Sequence, residues 1–521
     1  MNYTHVNNEG RERIIQGVTI LADAVGSTLG ALGNTVFIQD DNGQPLITKD
    51  GKYVSDHVVL SDPEMALGAN AVKQAAAQTA HWAGDGTTTS TVLAREIIVN
   101  GSKSKFPSIS VVKGINDAVE DVIDKLESVT KDLDDKSIRN IAYVSTNNDK
   151  ELSDKIADLY IKCGEYGDVS YQIDDFSSEV KTKFTTGSYL PMGMAHPSFG
   201  TETNDNGEAF CVLRNPYVLV SNATIKDLKS IEQITQHCVD NDRALLIIAK
   251  LEKEVQNALV MNNRKAKSGK KRLVSCPVVT TFPDVKLLKE LAVLVNAKYF
   301  DDFNGEDLSY VTPDFLGEME EVVVFGKHSV FKVSNPGDVE QIKKDLKALI
   351  DNESNEYKRK EYQFRMKMVS GSFGEIFVGA PTKVNRDEIL HRVEDATKAI
   401  NTAKLHGYLP GGGVALRDIS DTLGKKEERN GYTHGYNALL ESIKAPYHKI
   451  LENGGIDGFD DLEFGHGYDV TTGLVVNMVD AGIIDPAGVT KSALKNAASA
   501  ATSIISTKTV ITKEGEGDEQ V

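Results

Sequence analysis

The sequence predicts a multidomain protein of the α plus α/β class. Its 521 residues are enough for about three domains. Apolar residues recur at helical spacing in the first and last parts of the chain, which predicts helical domains there. Between these parts, β-rich and α-rich segments alternate, a pattern typical of an α/β domain.

The elements follow from these patterns in chain order. An apolar face over residues 14–25 predicts the first helix. Two short strands over residues 35–39 and 46–48 come next, and the Asp-Asp-Asn-Gly sequence at 40–43 favours a hairpin turn between them. A buried strand is predicted over residues 244–249 from its continuous apolar run. Further helices are predicted over residues 65–82, 87–100, 111–129, 255–262, 338–368 and 386–406.

The composition excludes several classes of function. The net charge of -18 would repel nucleic acid and anionic membrane surfaces, so neither is expected as a main partner. No apolar run approaches the length of about 20 residues that a membrane span needs. The polar N-terminus shows no secretory signal, and the four cysteines have no metal-ligand spacing. A cytoplasmic protein with reduced thiols is therefore expected.

One glycine- and threonine-rich segment suggests phosphate chemistry. Gly84-Asp85-Gly86-Thr87-Thr88-Thr89 stands where a helix is predicted to begin. The glycines permit close approach of a phosphate, the first-turn N–H groups can donate to it, and Asp85 is a ligand that suits Mg²⁺. The segment lacks the Gly-Lys-Thr ending of a Walker A loop. By its chemistry alone, a helix cap without a ligand explains it equally well.

The longer stretch Ala-Gly-Asp-Gly-Thr-Thr-Thr-Ser-Thr-Val-Leu-Ala at residues 83–94 resembles the nucleotide loop of the chaperonins. Other segments resemble that family in the same order, and on them the chain is identified as a group I (GroEL-type) chaperonin. The middle region lacks the built-in lid of the other chaperonin group, and divergence at otherwise regular positions suggests a virus-encoded copy. These segments are residues 21–30, 47–51, 392–396, 411–416, 467–469 and 482–486.

The resemblance implies three domains built from a discontinuous chain. Residues 1–131 and 404–521 would form a helical equatorial domain. Residues 132–183 and 370–403 would form a small mixed intermediate domain, and residues 184–369 an α/β apical domain that binds substrate.

The resemblance also implies an ATPase site. Asp395 would orient or deprotonate the attacking water with help from Asp50, and Asp85 would bind Mg²⁺. The remaining implied residues would contact the ATP phosphates or a monovalent ion such as K⁺, or would hold the base and ribose. They are Thr28, Leu29, Gly30, Ala31, Lys49, Gly86, Thr87, Thr88, Thr89, Gly412, Asp469, Val470, Thr471 and Asp485.

Each role has an ordinary alternative in the sequence itself. Without the resemblance, Asp50 is a turn residue, Asp395 a solvated helix residue and Gly412 part of a linker. The chain also departs from the family pattern. Asp469 stands where the family has asparagine. The loop Leu29-Gly30-Ala31-Leu32-Gly33 lacks the usual proline and lysine, which removes a cation near the phosphates.

A substrate groove is implied on the apical domain. Its apolar contact residues would be Tyr189, Met194, Val260 and Met261. Polar residues replace apolar ones elsewhere along this groove, at Glu232, Thr235 and Gln256. Leu228, Ile231 and Ile234 on the same helix have a simpler explanation as its buried face.

The resemblance implies an ATP-driven, homo-oligomeric ring, heptameric and single or double, that captures non-native polypeptides and promotes their folding. Whether a co-chaperonin takes part is left open. Two other hypotheses remain. A small-molecule kinase would need an acceptor pocket with its own general base. A ring-forming homologue could keep the ATPase and serve a structural or assembly role. A virus-encoded copy would act in the cytoplasm of its host.

Overall fold

The computed structural model describes residues 5–7, 10–39, 45–146, 148–190, 192–203, 209–266, 274–279, 285–301, 308, 311–333, 339–353, 355–458 and 461–512. The chain divides into two compact units, Met1–Ala157 with Leu390–Val521, and Asp158–Ile389. None of the helices in the described part of the chain combines the length and apolar character that crossing a bilayer requires.

The helices, in chain order, are α1 (Arg11–Gly26), α2 (Gly51–His57), α3 (Pro63–Ala83), α4 (Thr87–Ser102), α5 (Ser108–Val129), α6 (Asp135–Ser145), α7 (Lys150–Cys163), α8 (Glu232–Asp240), α9 (Lys253–Ala266), α10 (Val285–Leu294), α11 (Val339–Asn352), α12 (Glu356–Ser370), α13 (Lys383–His406), α14 (Val414–Leu423), α15 (Gly431–Ser442), α16 (Ala445–Gly454) and α17 (Ala487–Ser506).

The strands are β1 (His5–Asn7), β2 (Val36–Gln39), β3 (Pro45–Thr48), β4 (Asp168–Ile173), β5 (Lys181–Thr186), β6 (Ser188–Leu190), β7 (Gly193–Met194), β8 (Glu202–Thr203), β9 (Ala209–Arg214), β10 (Tyr217–Ile225), β11 (Leu245–Leu251), β12 (Ser275–Val279), β13 (Gly317–Glu318), β14 (Glu321–Val324), β15 (Ser329–Lys332), β16 (Ser372–Val378), β17 (Tyr408–Pro410), β18 (His466–Asp469), β19 (Leu474–Asn477), β20 (Ile484–Pro486) and β21 (Val510–Thr512).

The first unit is a helical bundle in which α17 contacts α3, α4 and α5. Its core consists of the apolar faces that the helical spacing predicts, with Val18, Leu21 and Val25 of α1 fully buried. Asp62 caps the start of α3, where its side chain accepts hydrogen bonds from two main-chain N–H groups and Pro63 opens the helix.

Glycines set the closest helix contacts in this bundle. A Cβ at Gly17 of α1 would overlap a main-chain oxygen of α3, and one at Gly68 of α3 would overlap a main-chain oxygen of α1. The same reciprocal arrangement joins α5 and α15 through Gly114 and Gly435. Both helix pairs therefore approach to backbone contact, which no larger residue permits.

The second unit contains the α/β part. Its first sheet has the order β13-β10-β11-β12-β7, with β10, β11 and β12 parallel and the two edge strands antiparallel. A second sheet, β6-β15-β14-β9-β8, is antiparallel, and β4-β16-β5 form a third sheet. The predicted buried strand is β11, at the centre of the first sheet, as expected for a continuous apolar run.

The α plus α/β class and the separate helices predicted at both ends of the chain are confirmed. The prediction of one helix over residues 338–368 is wrong, because α11 ends at Asn352 and α12 begins at Glu356. Leu346 and Ile350 of α11 are buried, whereas Leu349 is 43% exposed. Strands β2 and β3 pair as predicted, and their turn at residues 40–43 lies outside the described residues.

The predicted intermediate domain is divided between the two compact units. Strands β4, β5 and β16 belong to the second unit, and α6 belongs to the first. The boundaries of a separate intermediate domain stay a prediction.

A buried ion pair between α10 and α12 predicts a large change in stability. The side chains of Arg365 and Glu290 are 7% and 12% exposed, and Arg365 Nε donates to Glu290 Oε2 at 2.9 Å. The Arg365→Met change leaves this carboxylate buried without its main partner, so we expect a loss of about 3–5 kcal/mol in the free energy of unfolding. Urea unfolding of the whole protein measures it. The exposed control Lys358→Met should stay within about 0.5 kcal/mol, and an equal effect of both changes would contradict the prediction.

Candidate functional site

The N-terminus of α4 is open to an anion. Gly86 is the N-cap residue with a φ of 91°, and as a glycine it has no side chain to cap the first N–H groups of the helix. A Cβ at Gly86 would lie 2.7 Å from Val489 Cγ1, so both the conformation and the space require glycine. Free N–H groups and the positive end of the helix dipole favour a phosphate in front of Thr87.

Three predicted loops meet around Gly51, the first residue of α2. A Cβ on Gly51 would overlap Thr88 Oγ1 and would lie 3.0 Å from Thr28 Oγ1. Asp50 is the N-cap residue of α2 and accepts a hydrogen bond from the Lys52 main-chain N–H at 2.7 Å. The Lys-Asp-Gly turn thus places Asp50 beside both the α4 terminus and the loop that follows α1.

The loop after α1 is held in place by hydrogen bonds from α16. The Asn453 side-chain amide donates to the main-chain oxygens of Gly26 and Leu29, both at 2.9 Å. Thr28 is buried, and its hydroxyl donates to the Val25 oxygen at 2.7 Å. The following Gly30 and Ala31 are exposed, as is Lys49 on the neighbouring segment.

Helix α13 carries Asp395 to the same place. Lys398, one turn after Asp395, packs so closely on Gly84 that a Cβ there would overlap the lysine side chain. Further along α13, the Thr402 hydroxyl donates to the Ala83 main-chain oxygen at 2.9 Å. These contacts fix α13 against the loop before α4, although more than 300 residues separate the two segments in the sequence.

The site concentrates negative charge. The pKa of Asp395 is raised to about 8, chiefly by burial and also by the charges of Asp85 and Asp50. The protein packed around Asp85 also raises the pKa of that carboxyl, with the Asp50 charge adding to the effect. Lys398, which pairs with Glu394, opposes both shifts. Carboxylates that raise one another's pKa are a place where a cation is stabilised.

The residues present fit a metal ion that is bound together with a ligand. Among the described residues, no group of three or more His, Cys, Asp or Glu side chains could hold a metal by itself. Mg²⁺ is usually bound through one or two carboxylates plus substrate phosphates. Asp85, directly before the open α4 terminus, is placed for that arrangement.

A second glycine loop closes another side of the site. Gly412 and Gly413 follow β17 with φ values of 65° and 76°, and their main-chain N–H groups donate to the carboxyl of Asp485 on β20. The pKa of Asp485 is raised to about 7, chiefly by burial and also by the charge of Asp85, which indicates that the two carboxyls share one electrostatic environment.

The β18–β19 hairpin carries the predicted base contacts. Asp469 Oδ1 accepts hydrogen bonds from the Thr471 N–H at 2.9 Å and its hydroxyl at 2.6 Å. Burial alone would raise the pKa of Asp469, but the hydrogen bonds from Thr471 and Thr472 outweigh it and lower the pKa. Val470 packs near Gly454 of α16. Asp469 is therefore engaged in its own turn.

The structure thus brings most of the predicted nucleotide residues together in the first unit. Contacts or charge interactions connect Thr28, Asp50, Asp85, Thr88 and Asp395. The sequence interpretation missed Lys398 and Asn453. Lys398 could have been found from its spacing of one helical turn after Asp395, whereas no local pattern marks Asn453.

The predicted substrate residues lie in the second unit and require a correction. Met194 and Val260 are 8% and 9% exposed and belong to its hydrophobic core, because β7 pairs with β12 and α9 packs its apolar face inward. Tyr189 is half-buried and stacks on Phe373 with 5.1 Å between the ring centroids. Met261 is 51% exposed and stays a candidate contact residue.

The raised pKa values of the carboxyls predict that the gain in thermal stability on binding Mg²⁺ and nucleotide depends on pH. Between the ordinary pKa of 3.8 and about 8, folded Asp395 holds a proton that the unfolded chain has lost, so its contribution to stability decreases as pH rises through about 8. A cation favours the charged carboxylates. We expect the rise in melting temperature caused by Mg²⁺–ADP to be larger at pH 8.5 than at pH 6.5. Asp395→Asn should flatten this trend, and a pH-independent rise in the wild type would contradict it.

Both the sequence and the fold resemble known proteins. Residues 21–514 match the profile of the TCP-1/cpn60 chaperonin family. The fold is similar to the crystal structure of the chaperonin gp146 from the bacteriophage EL 2 (Pseudomonas aeruginosa), determined in the presence of ATP-BeFx. In crystal form I the TM-score is 0.79 at 23% identity, covering 98% of this chain and 99% of that chain. In crystal form II the TM-score is 0.71 at 24% identity, covering 98% and 100%. Because the profile spans nearly the whole sequence, the chain belongs to the TCP-1/cpn60 chaperonin family.

Proposed function

We propose that this chain is a chaperonin subunit that hydrolyses ATP and uses the cycle to capture and release non-native polypeptides so that they fold. The observation that carries the proposal is the meeting of Asp50, Asp85 and Asp395 around the uncapped start of α4. Acidic side chains next to an anion-binding helix terminus suit a metal-bound triphosphate.

The roles of the residues follow from phosphoryl-transfer chemistry. The α4 terminus with Gly86, Thr87, Thr88 and Thr89 binds and orients the phosphates. Asp85 holds Mg²⁺, which neutralises charge that develops on the phosphate oxygens. Asp395 orients the attacking water and accepts its proton, with Asp50 placed beside it.

The other predicted ligand contacts complete the proposed site. Lys49 contacts phosphate or a monovalent cation such as K⁺, and so does the loop from Leu29 to Ala31. Gly412 and Asp485 adjoin the ribose, and the turn from Asp469 to Thr471 adjoins the base. The ATP-BeFx present with the similar phage chaperonin supports a nucleotide as the ligand.

The proposed assembly is a homo-oligomeric ring, heptameric and single or double, with three domains per subunit as the resemblance implies. A subunit alone cannot enclose a polypeptide, so closure of a ring is required. The four cysteines are free and buried, which supports a reducing compartment such as the cytoplasm, that of the host if the chain is virus-encoded.

A second candidate function, a ring with an ATPase but without general folding activity, is favoured by one observation. On the predicted groove, Met194 and Val260 are buried while Glu232 is exposed, so less apolar surface is offered than the resemblance implies. Such a surface would bind unfolded chains weakly.

One set of experiments tests both candidates. Electron microscopy of the purified protein with and without ATP should show closed rings, and single subunits would exclude both candidates. Refolding of a denatured enzyme should then be faster with wild type plus ATP than with Asp395→Ala plus ATP. Rings whose ATPase is active, but which assist refolding no better than the variant, would favour the structural role. Absence of ATP hydrolysis in the wild type would overturn the proposal.

A further inference from the structure

A buried ion pair lies beneath the β18–β19 hairpin. The side chains of Arg417 and Asp418, consecutive residues of α14, are 0% and 5% exposed. Arg417 Nη2 donates to Asp418 Oδ1 and to the His466 main-chain oxygen, both at 2.6 Å. Asp418 Oδ2 accepts the Gly465 N–H at 2.7 Å, and the guanidinium lies 4.5 Å from the centroid of the Tyr447 ring. The pair therefore holds the residues that open the hairpin.

The hairpin depends on such contacts for its position. Strands β18 and β19 form a two-stranded sheet that no third described strand joins, and an isolated hairpin is marginally stable. It packs on a small apolar cluster of its own, which includes Val414, Tyr447, Leu451 and Met478. A Cβ at Gly412 would lie 3.1 Å from Met478 Cε, so the same cluster also supports the glycine loop.

Stability alone does not account for this pair. Arg417 Nη1 is buried and finds no acceptor among the described residues, and a buried donor without an acceptor is destabilising. Apolar residues of similar volume often replace buried ion pairs without loss of stability. A planar guanidinium, however, fixes two neighbours in defined directions, as the contacts of Arg417 to Asp418 and His466 do.

We propose that Arg417 and Asp418 are positioning residues for the nucleotide base. They hold the β18–β19 hairpin in a fixed position relative to the glycine loop at residues 411–413. In this way they set the affinity for ATP and the preference for its base. This inference rests on the proposed function, because Asp469 to Thr471 on this hairpin are the predicted base contacts. Asp395 and the phosphate-binding terminus of α4 lie on other elements, so the hydrolytic step itself should not depend on the pair.

The test uses a double variant that leaves no buried charge unpaired. Arg417→Met with Asp418→Asn removes both charges and retains an oxygen for the Gly465 N–H. We expect KM for ATP to rise roughly 10- to 100-fold, as misplaced contacts do, with kcat within about threefold and with a reduced preference for ATP over GTP. Arg417→Lys keeps the charge without the planar guanidinium, so its KM for ATP should lie between those of the wild type and the double variant. The matched control is Arg429→Met with Glu427→Gln, an ion pair whose side chains are both 72% exposed.

A second readout is independent of nucleotide. Amide hydrogen exchange at residues 465–478 of the ATP-free protein should be faster in the double variant, while exchange in α4 and α5 should match the wild type. Unchanged KM, base preference and exchange in the hairpin would overturn the inference. Faster exchange throughout the first unit would also overturn it, by showing a general stabilising role. If the wild type does not bind ATP, the proposed function fails, and the exchange result still decides whether the pair positions the hairpin.

Discussion

Replacing Asp395 by asparagine is expected to slow ATP hydrolysis by about 10²- to 10⁴-fold, the usual contribution of a general acid–base group. The pKa of the carboxyl is raised to about 8 by burial and by the charges of Asp85 and Asp50, which places it in the range where a proton acceptor is effective. Asparagine keeps the volume of the side chain but cannot take a proton from water. Single-turnover hydrolysis with ATP in excess of its Kd measures the effect.

The Asp395 experiment needs evidence that the nucleotide site survives. Binding of ATP by Asp395→Asn should stay within about threefold of the wild type, because the role proposed for the residue is on water rather than on the phosphates. Glu388→Gln is the matched control, since it removes an exposed carboxylate two turns earlier on α13 and should change the rate little. If both variants lose the same activity, Asp395 is not the water-activating residue.

Replacing Asp85 by asparagine is expected to weaken binding of Mg²⁺–ATP by about 100-fold, or ~2.7 kcal/mol. The carboxylate stands directly before the uncapped α4 terminus. Its pKa is raised by desolvation and by the charge of Asp50. Its loss removes the proposed metal ligand and one source of repulsion. Binding of ATP without Mg²⁺ should therefore change little or become slightly tighter. Calorimetric titration with Mg²⁺ and with EDTA separates the two effects.

Asp56→Asn provides the control for this second experiment, because Asp56 is an exposed carboxylate on α2 in the same unit. Its affinity for Mg²⁺–ATP should equal that of the wild type. An Asp85 variant that loses affinity equally with and without Mg²⁺ would show that the residue shapes the loop and does not bind the metal.

Local chemistry explains which parts of the structure could be predicted from the sequence. Gly86 with its positive φ, and Asp50 as a helix cap, follow from rules that act over a few residues. The apolar stripe of α1 and the continuous apolar run of β11 follow from periodicity. The meeting of Asp395 with Asp85 could not be worked out from spacing, and only the resemblance to chaperonins implied it.

The failures have a common physical cause, which is that burial depends on tertiary packing. Met194 and Val260 lie at positions where a groove was expected, yet sheet pairing and helix packing cover them. The helical pattern over residues 338–368 continues through a break, because the charged residues around the break suit a helix as well as a turn. Asn453 and Arg417 owe their roles to partners distant in sequence, which no local pattern records.

The reciprocal glycine contacts of α1 with α3 and of α5 with α15 have a mechanical consequence. At the glycine positions the helices touch backbone to backbone with no side chain between them, so sliding or tilting at these points would cause steric overlap. Each helix pair should therefore move as one rigid unit. We therefore expect a ligand bound at the proposed site to move the surrounding loops rather than the packing within these two helix pairs.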